Sequence, residues 1–337
     1  MKKNKDVSIQ LIRVIAMLMI IFDHILAYIN IPLKSLILQL MNSGVFIFLF
    51  ISGYLYGKKT ISNWGKWFVG RVSRICIPMW IFMIIDFCVE YVIWKIFNVK
   101  YIFIYMFNMQ GILGVTIGGA ALWFLTLLMI CYILTPVLQQ IRESEKVIYV
   151  KYGIIVLIVL QIVFAYITSK GMTSGHSISW CILAVGIYCL GYFKGERLLP
   201  HKIENQILIK TMIVTCLSVI IVILAKKFLD GKIIYDKIII YYGLIVIDYF
   251  LCLILKLLGQ IIKNRKMVCV INHFDKLSYY VYIVHALVIV AITINCIPIC
   301  GKWIYIILTL IVSYLCAFLL EALSNVIYRI IEKRSKV

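Results

Sequence analysis

Ten stretches of roughly twenty apolar residues recur along this 337-residue chain, and that length decides what the chain can become. Inside a bilayer no water satisfies backbone N–H and C=O groups, so only helices or closed barrels cross it. A helix needs about twenty apolar residues to cross, so these runs read as membrane-spanning helices. They fall near 7–29, 36–57, 75–97, 121–138, 148–168, 178–193, 207–225, 238–258, 277–296 and 303–328. The expected fold is therefore all-α, a polytopic membrane protein of about ten transmembrane helices forming a single domain over residues 1–337. Residues 101–119 are apolar as well, but Asn108, Gln110, Gly111, Gly114, Gly118 and Gly119 interrupt them. They read as a re-entrant or interfacial piece outside the count.

The chain is 64% hydrophobic with a mean hydropathy of +1.04, and only 14% of it is charged. Soluble domains carry about a quarter charged residues. A net charge of +20 would suit nucleic acid, but the basic residues cluster between the apolar runs, where membrane topology explains them. Membrane lipids are the expected surroundings, with no nucleic-acid partner. If the N-terminus is cytoplasmic, Lys34, Lys95, Lys100, Lys170, Lys226, Lys227, Lys232, Lys237 and Lys302 fall outside, and the other 25 of the 34 Lys and Arg fall inside. That asymmetry places both termini in the cytoplasm. Arg13, Asp23 and His24 break the first run and no small-residue cleavage site follows, so it reads as a retained helix and not a signal peptide. No large soluble domain flanks the helices, and the Lys- and Ile-rich composition fits an AT-rich bacterial genome. The expected location is a bacterial cell membrane.

Most of the eleven cysteines lie within the apolar runs, where a thiol acts as a small apolar side chain. Cys296 and Cys300 have a spacing compatible with a bridge, without further support. Neither pair of ligands nor spacing suggests a metal, and no bound cofactor is expected.

Ionisable residues within the spans carry the functional argument, because a charge at bilayer depth costs about 2.5 kcal/mol or more and marks a function by default. Arg13 and His24 are eleven residues apart on the first run. On a helix that spacing returns to within about 20° of the same face and climbs about 16 Å. An imidazole titrates near neutrality and suits proton transfer. Asp23 points about 100° away from its neighbour, so an orienting partner for His24 should come from another helix. Arg71 and Arg74, with Pro78 close behind, stand where the loop after the second run meets the third. Three apart, they share a helix face and could clamp phosphate bidentately or simply anchor the topology. Ser52 and Gly53 mark a small, close-packing spot on the second run. Further ionisable groups within the spans are Asp86, Glu90, Asp248, His285 and Glu321. Asp248 has no motif around it and reads as a packing contact. Tyr101, Tyr105 and Trp303 could stack on sugar rings or belong to an interfacial aromatic belt.

Taken together, these residues resemble the acyltransferase 3 family, integral-membrane O-acyltransferases that modify cell-surface glycans and lipids. The resemblance covers most of the chain and rests first on the Arg-x10-His pattern of Arg13 and His24. Next come the Phe-x-x-x-Ser-Gly-Tyr-Leu element at residues 48–55 and the Arg-x-x-Arg element of Arg71 and Arg74. Weaker matches lie around Trp123 with Pro136, at Tyr282-x-x-His285, and at residues 328–332. Lys333 stands after Glu332 where the family often has Pro.

The resemblance implies transfer of an acyl group, most simply acetyl, from cytoplasmic acyl-coenzyme A as co-substrate to a hydroxyl of an extracytoplasmic glycan or lipid-linked saccharide. Arg71 and Arg74 would bind the phosphate-rich donor. Arg13 would hold donor oxygens or stabilise an oxyanion. His24 would serve as general base or carry the acyl group transiently. Ser52, Trp123, His285 and Glu321 are candidates to line the cavity. The alternative is a glycan exporter or small-molecule transporter, since broken polar helices also build substrate paths.

Overall fold

The computed structural model describes residues 6–144, 147–168 and 178–334, except for the side chains of residues 147, 151, 168, 294–300 and 332–334. The described residues contain helices and no strand. In chain order the helices are α1 (Val7–Ala27), α2 (Lys34–Asn42), α3 (Gly44–Gly57), α4 (Trp64–Trp94), α5 (Val99–Met106), α6 (Gln110–Leu113), α7 (Trp123–Glu143), α8 (Val147–Thr168), α9 (Ile178–Leu198), α10 (Asn205–Leu229) and α11 (Ile240–Ile261). A last helical run is broken at Gly301, whose φ of 71° is a left-handed conformation suited to glycine, into α12 (Arg265–Thr293) and α13 (Gly301–Ile331). Ten helical segments among the described residues are long and apolar enough to span a membrane, and each matches an expected run. The side chains of Cys296, Cys300 and Glu332 lie outside the described ones.

The differences are at the ends. Arg71 and Arg74 do not close a loop: α4 begins at Trp64, where the Asn63 side chain accepts the Lys66 N–H at 2.9 Å, so both arginines lie well inside the helix. Hydropathy finds the part of a helix in hydrocarbon and misses the polar turns that continue it. For the same reason α12 starts at Arg265, twelve residues before its apolar run.

The chain divides into two compact units. The first comprises residues up to Met19 together with Leu40–Thr60 and Leu134–Asn272. Its seam is α3 against α9, and glycine makes it. Gly53 and Gly57 on α3 and Gly191 and Gly195 on α9 form two facing Gly-x-x-x-Gly patterns. A Cβ at Gly53 would overlap the Tyr188 carbonyl oxygen, one at Gly57 that of Tyr192, and one at Gly191 that of Phe50. Without a hydrophobic driving force between helices in lipid, backbones this close gain dispersion contacts instead. Polar groups are tied internally: Ser43 donates to Asp248 at 2.8 Å and Gln10 to Asn272 at 2.6 Å. Lys256 and Arg142, which charge counting assigns to loops, cap helix ends. The fully buried Lys256 ammonium donates to the Leu199 carbonyl at 2.6 Å just past α9, and the Arg142 guanidinium donates to the carbonyls of Gly57 and Lys59 at the end of α3. By contrast α8 and α10 bury little of their apolar surface within the protein.

The second unit comprises Ile20–Gln39, Ile61–Ile133 and the chain from His273 on. Tyrosine hydroxyls join its helices: Tyr279 on α12 donates to the Ile75 carbonyl of α4 at 2.7 Å, and Tyr328 on α13 donates to that of Ser73 at 3.3 Å.

Gly53→Ala should destabilise the protein by about 1–3 kcal/mol, since backbone has to move to admit the methyl group. Gly70→Ala, with nothing within 4 Å of the added carbon, should leave stability unchanged or slightly raised. Melting of the two variants in detergent checks this, and equal melting temperatures would show that the seam tolerates repacking.

Candidate active site

His24 occupies the last turn of α1, and the second unit sets it against His285 of α12, with ring centroids 5.1 Å apart and planes inclined at 49°. His285 is fully buried and His24 only partly so. His285 Nδ1 lies 2.6 Å from the Tyr282 carbonyl oxygen. A carbonyl can only accept, so Nδ1 carries the proton and Nε2 keeps its lone pair. That nitrogen is buried and makes no hydrogen bond among the described residues. The arrangement is a partly buried imidazole beside a second, tautomerically fixed one.

Tyr282 is itself held. Its hydroxyl donates to the Ala121 carbonyl, and its ring packs edge-on against Phe124 at 5.7 Å and against the His285 ring at the same distance. Ala121 lies in the turn of 3-10 helix, Ala120–Leu122, that leads into α7. That turn is braced from the interrupted segment before it: Gln110 donates to the Leu122 carbonyl at 3.0 Å and Asn108 to that of Leu125 at 3.1 Å. Asn108 and Gln110 are thus structural pins, buried and hydrogen-bonded.

The family's acyltransferase-domain sequence model matches residues 6–322. The chain belongs to the acyltransferase 3 family. It is therefore a membrane acyltransferase, with an acyl donor and an acceptor as its substrates. No curated protein and no solved structure matches it.

Within this acyltransferase the residues marked by sequence fall into distinct places. His24 and His285 come together. Arg13 is half-buried on the part of α1 that belongs to the first unit, eleven residues or about 16 Å along the helix from His24. Arg71 is half-buried and Arg74 exposed, both on one face of α4 in the second unit. Trp123, half-buried, opens α7 beside the pinned turn and packs its ring on Phe124 at 6.2 Å. Ser52 is in the first unit, where its hydroxyl donates to the Phe48 carbonyl at 2.8 Å, one turn back along α3. Glu321 on α13 is buried and pairs with Lys276 at 2.5 Å. Tyr105 is not a loop aromatic: it is buried and bonded to Thr116, whereas Trp303 is well exposed. Burial pushes the Tyr105 phenol above its ordinary range, so it remains a hydroxyl. No group of three or more His, Cys, Asp or Glu suited to a metal ion occurs among the described residues.

A double-mutant cycle on Lys276→Met and Glu321→Gln should give a coupling of about 0.5–3 kcal/mol in detergent melting, because each partner then leaves the other without its charge. Additive effects would separate Glu321 from Lys276 and return it to the candidates for direct chemistry.

Proposed function

We propose that this acyltransferase moves an acyl group, acetyl in the simplest case, from acyl-coenzyme A to a hydroxyl of an extracytoplasmic glycan or lipid-linked saccharide, with His24 as general base. The observation that carries the reading is the His24–His285 pair, a partly buried imidazole in contact with a fully buried one whose tautomer is set. His24 takes the proton of the acceptor hydroxyl as its oxygen attacks the thioester carbonyl. The C–O bond forms, the C–S bond breaks, and the coenzyme A thiolate leaves, to be protonated from the imidazolium. His285, whose ring centroid lies 5.1 Å from that of His24, limits where the His24 ring can turn.

Arg71 and Arg74 suit the donor, because coenzyme A is rich in phosphate and two guanidiniums one turn apart bind it bidentately. Arg13 supplies fixed positive charge for donor oxygens or for the tetrahedral intermediate. The ten candidate spans among the described residues support a reading with both termini on one side of what we take to be a bacterial cell membrane, and the loop charges favour the cytoplasm for that side.

His24→Ala should lower acyl transfer by about 10²-fold or more at matched membrane abundance. Near-normal product from that variant would remove the general-base role. Arg71→Ala together with Arg74→Ala should abolish thermal stabilisation by coenzyme A, and Lys at either position should restore charge without the bidentate geometry. In proteoliposomes, acyl-coenzyme A given to the cytoplasmic face should yield free coenzyme A there and ester on an acceptor confined to the other. An acceptor that crosses unmodified while coenzyme A is not consumed would make the protein a transporter. Mass spectrometry of surface glycans with and without the gene would identify the acceptor by its lost ester.

A further inference from the structure

Asp86 and Glu90 stand one turn apart on α4, 0% and 4% exposed. Two carboxylates so deep in a membrane helix are costly to bury, and lipid offers nothing to offset that cost. Among the described residues their partners are all neutral donors, and these converge on one short stretch of chain. Glu90 Oε1 accepts the N–H groups of Ile117 at 2.7 Å and Gly118 at 3.2 Å, and Asp86 Oδ2 accepts the Thr116 hydroxyl at 2.7 Å. The Thr116 N–H donates to the Tyr105 hydroxyl at 3.1 Å, and the Gly119 N–H donates to Thr116 Oγ1 at 3.0 Å. Every backbone N–H from Thr116 to Gly119 therefore ends on a side chain, where a helix would have used carbonyls.

This stretch runs directly into the histidine site. Gly119 offers its carbonyl to the Leu122 N–H at 2.9 Å, closing the turn that presents the Ala121 carbonyl to Tyr282. Gly118 is wedged: an added Cβ would overlap Asp86 Oδ1 and come within 2.8 Å of Leu287 Cδ1, two residues beyond His285 on α12. A continuous path of short contacts thus joins the two carboxylates, residues 116–121, Tyr282 and His285.

We propose that Asp86 and Glu90 are positioning residues of the acyltransferase: they fix residues 116–121 so that Ala121 holds Tyr282, and the Tyr282 carbonyl fixes the tautomer of His285. The kinetic consequence rests on the role given above to the His24–His285 pair, whereas the tautomer itself is a structural property that stands apart from it. What the carboxylates supply is acceptor oxygen in the right place, so an amide of the same shape should replace either one.

The test pairs turnover with the ¹⁵N spectrum of histidine-labelled protein, the His285 signals being assigned by their loss in His285→Gln. Glu90→Ala should lower kcat about 10- to 100-fold with KM for acyl-coenzyme A unchanged, and His285 should lose its single Nδ1–H tautomer. Glu90→Gln and Asp86→Asn should restore both readouts close to the original protein. Unchanged kcat and an unchanged tautomer in Glu90→Ala would overturn the proposal, as would lost turnover with the tautomer intact. A changed tautomer with unchanged kcat would uphold the positioning and remove the histidine pair from the chemistry. Should Glu90→Ala fail to accumulate, Tyr282→Phe, which deletes only the hydroxyl that reaches Ala121, carries the same two expectations and the same refutations.

Discussion

A polar atom in hydrocarbon has only protein to bond to, and that requirement orders this molecule from its helices to its site. Backbone groups close on themselves within the spans. Where the backbone leaves helical form, at residues 114–119, side chains take over the duty: Glu90, Tyr105 and Thr116 serve four consecutive N–H groups, and Asp86 in turn accepts the Thr116 hydroxyl. Helix ends draw on the same resource, with Lys256 and Arg142 reaching the carbonyls that α9 and α3 leave open. Charges that composition presents as surplus are spent on the backbone.

Against that background a few buried side-chain atoms make no hydrogen bond among the described residues, and His285 Nε2 is one of them. The backbone engages one nitrogen of His285, and the other faces no donor among the described residues, an arrangement that stability alone does not favour in lipid. The family match gives the class of chemistry, and the histidine pair lies within the second unit. The first unit solves a different problem. Its glycine seam brings α3 and α9 to backbone contact, and Ser52, which sequence reasoning set among cavity candidates, has its hydroxyl bonded within that seam's own helix.

Much of this was legible in the chain itself. Ten spans, the interrupted segment outside them and the anomaly of an ionisable His24 within a span follow from local patterns of polarity, because hydrophobic length and the cost of an intramembrane charge are properties of a stretch read alone. The start of α4 was not legible, since an Asn cap and a polar first turn carry no hydropathy signal, and Arg71 and Arg74 therefore moved from a loop into a helix. Tyr105 reads as an interfacial aromatic until Thr116 is seen to bond it. Asp86 and Glu90 were visible as anomalies but not as a pair with a purpose. Their partners lie more than twenty residues on, and only the glycines at 114, 118 and 119 hinted that something there approached closely.

Sequence by itself determined that the chain is a helical membrane protein, how many times it crosses, which family it resembles and that His24 needed a partner from elsewhere. Periodicity, length and charge are summed over neighbours in the chain, and these conclusions depend on nothing more. Only tertiary structure decided that the partner is His285, that Tyr282 sets its tautomer, and that two carboxylates on α4 secure the turn that holds Tyr282. Those facts depend on atoms brought within about 3 Å by helices far apart in the chain, and no local pattern encodes which lone pair will be left free.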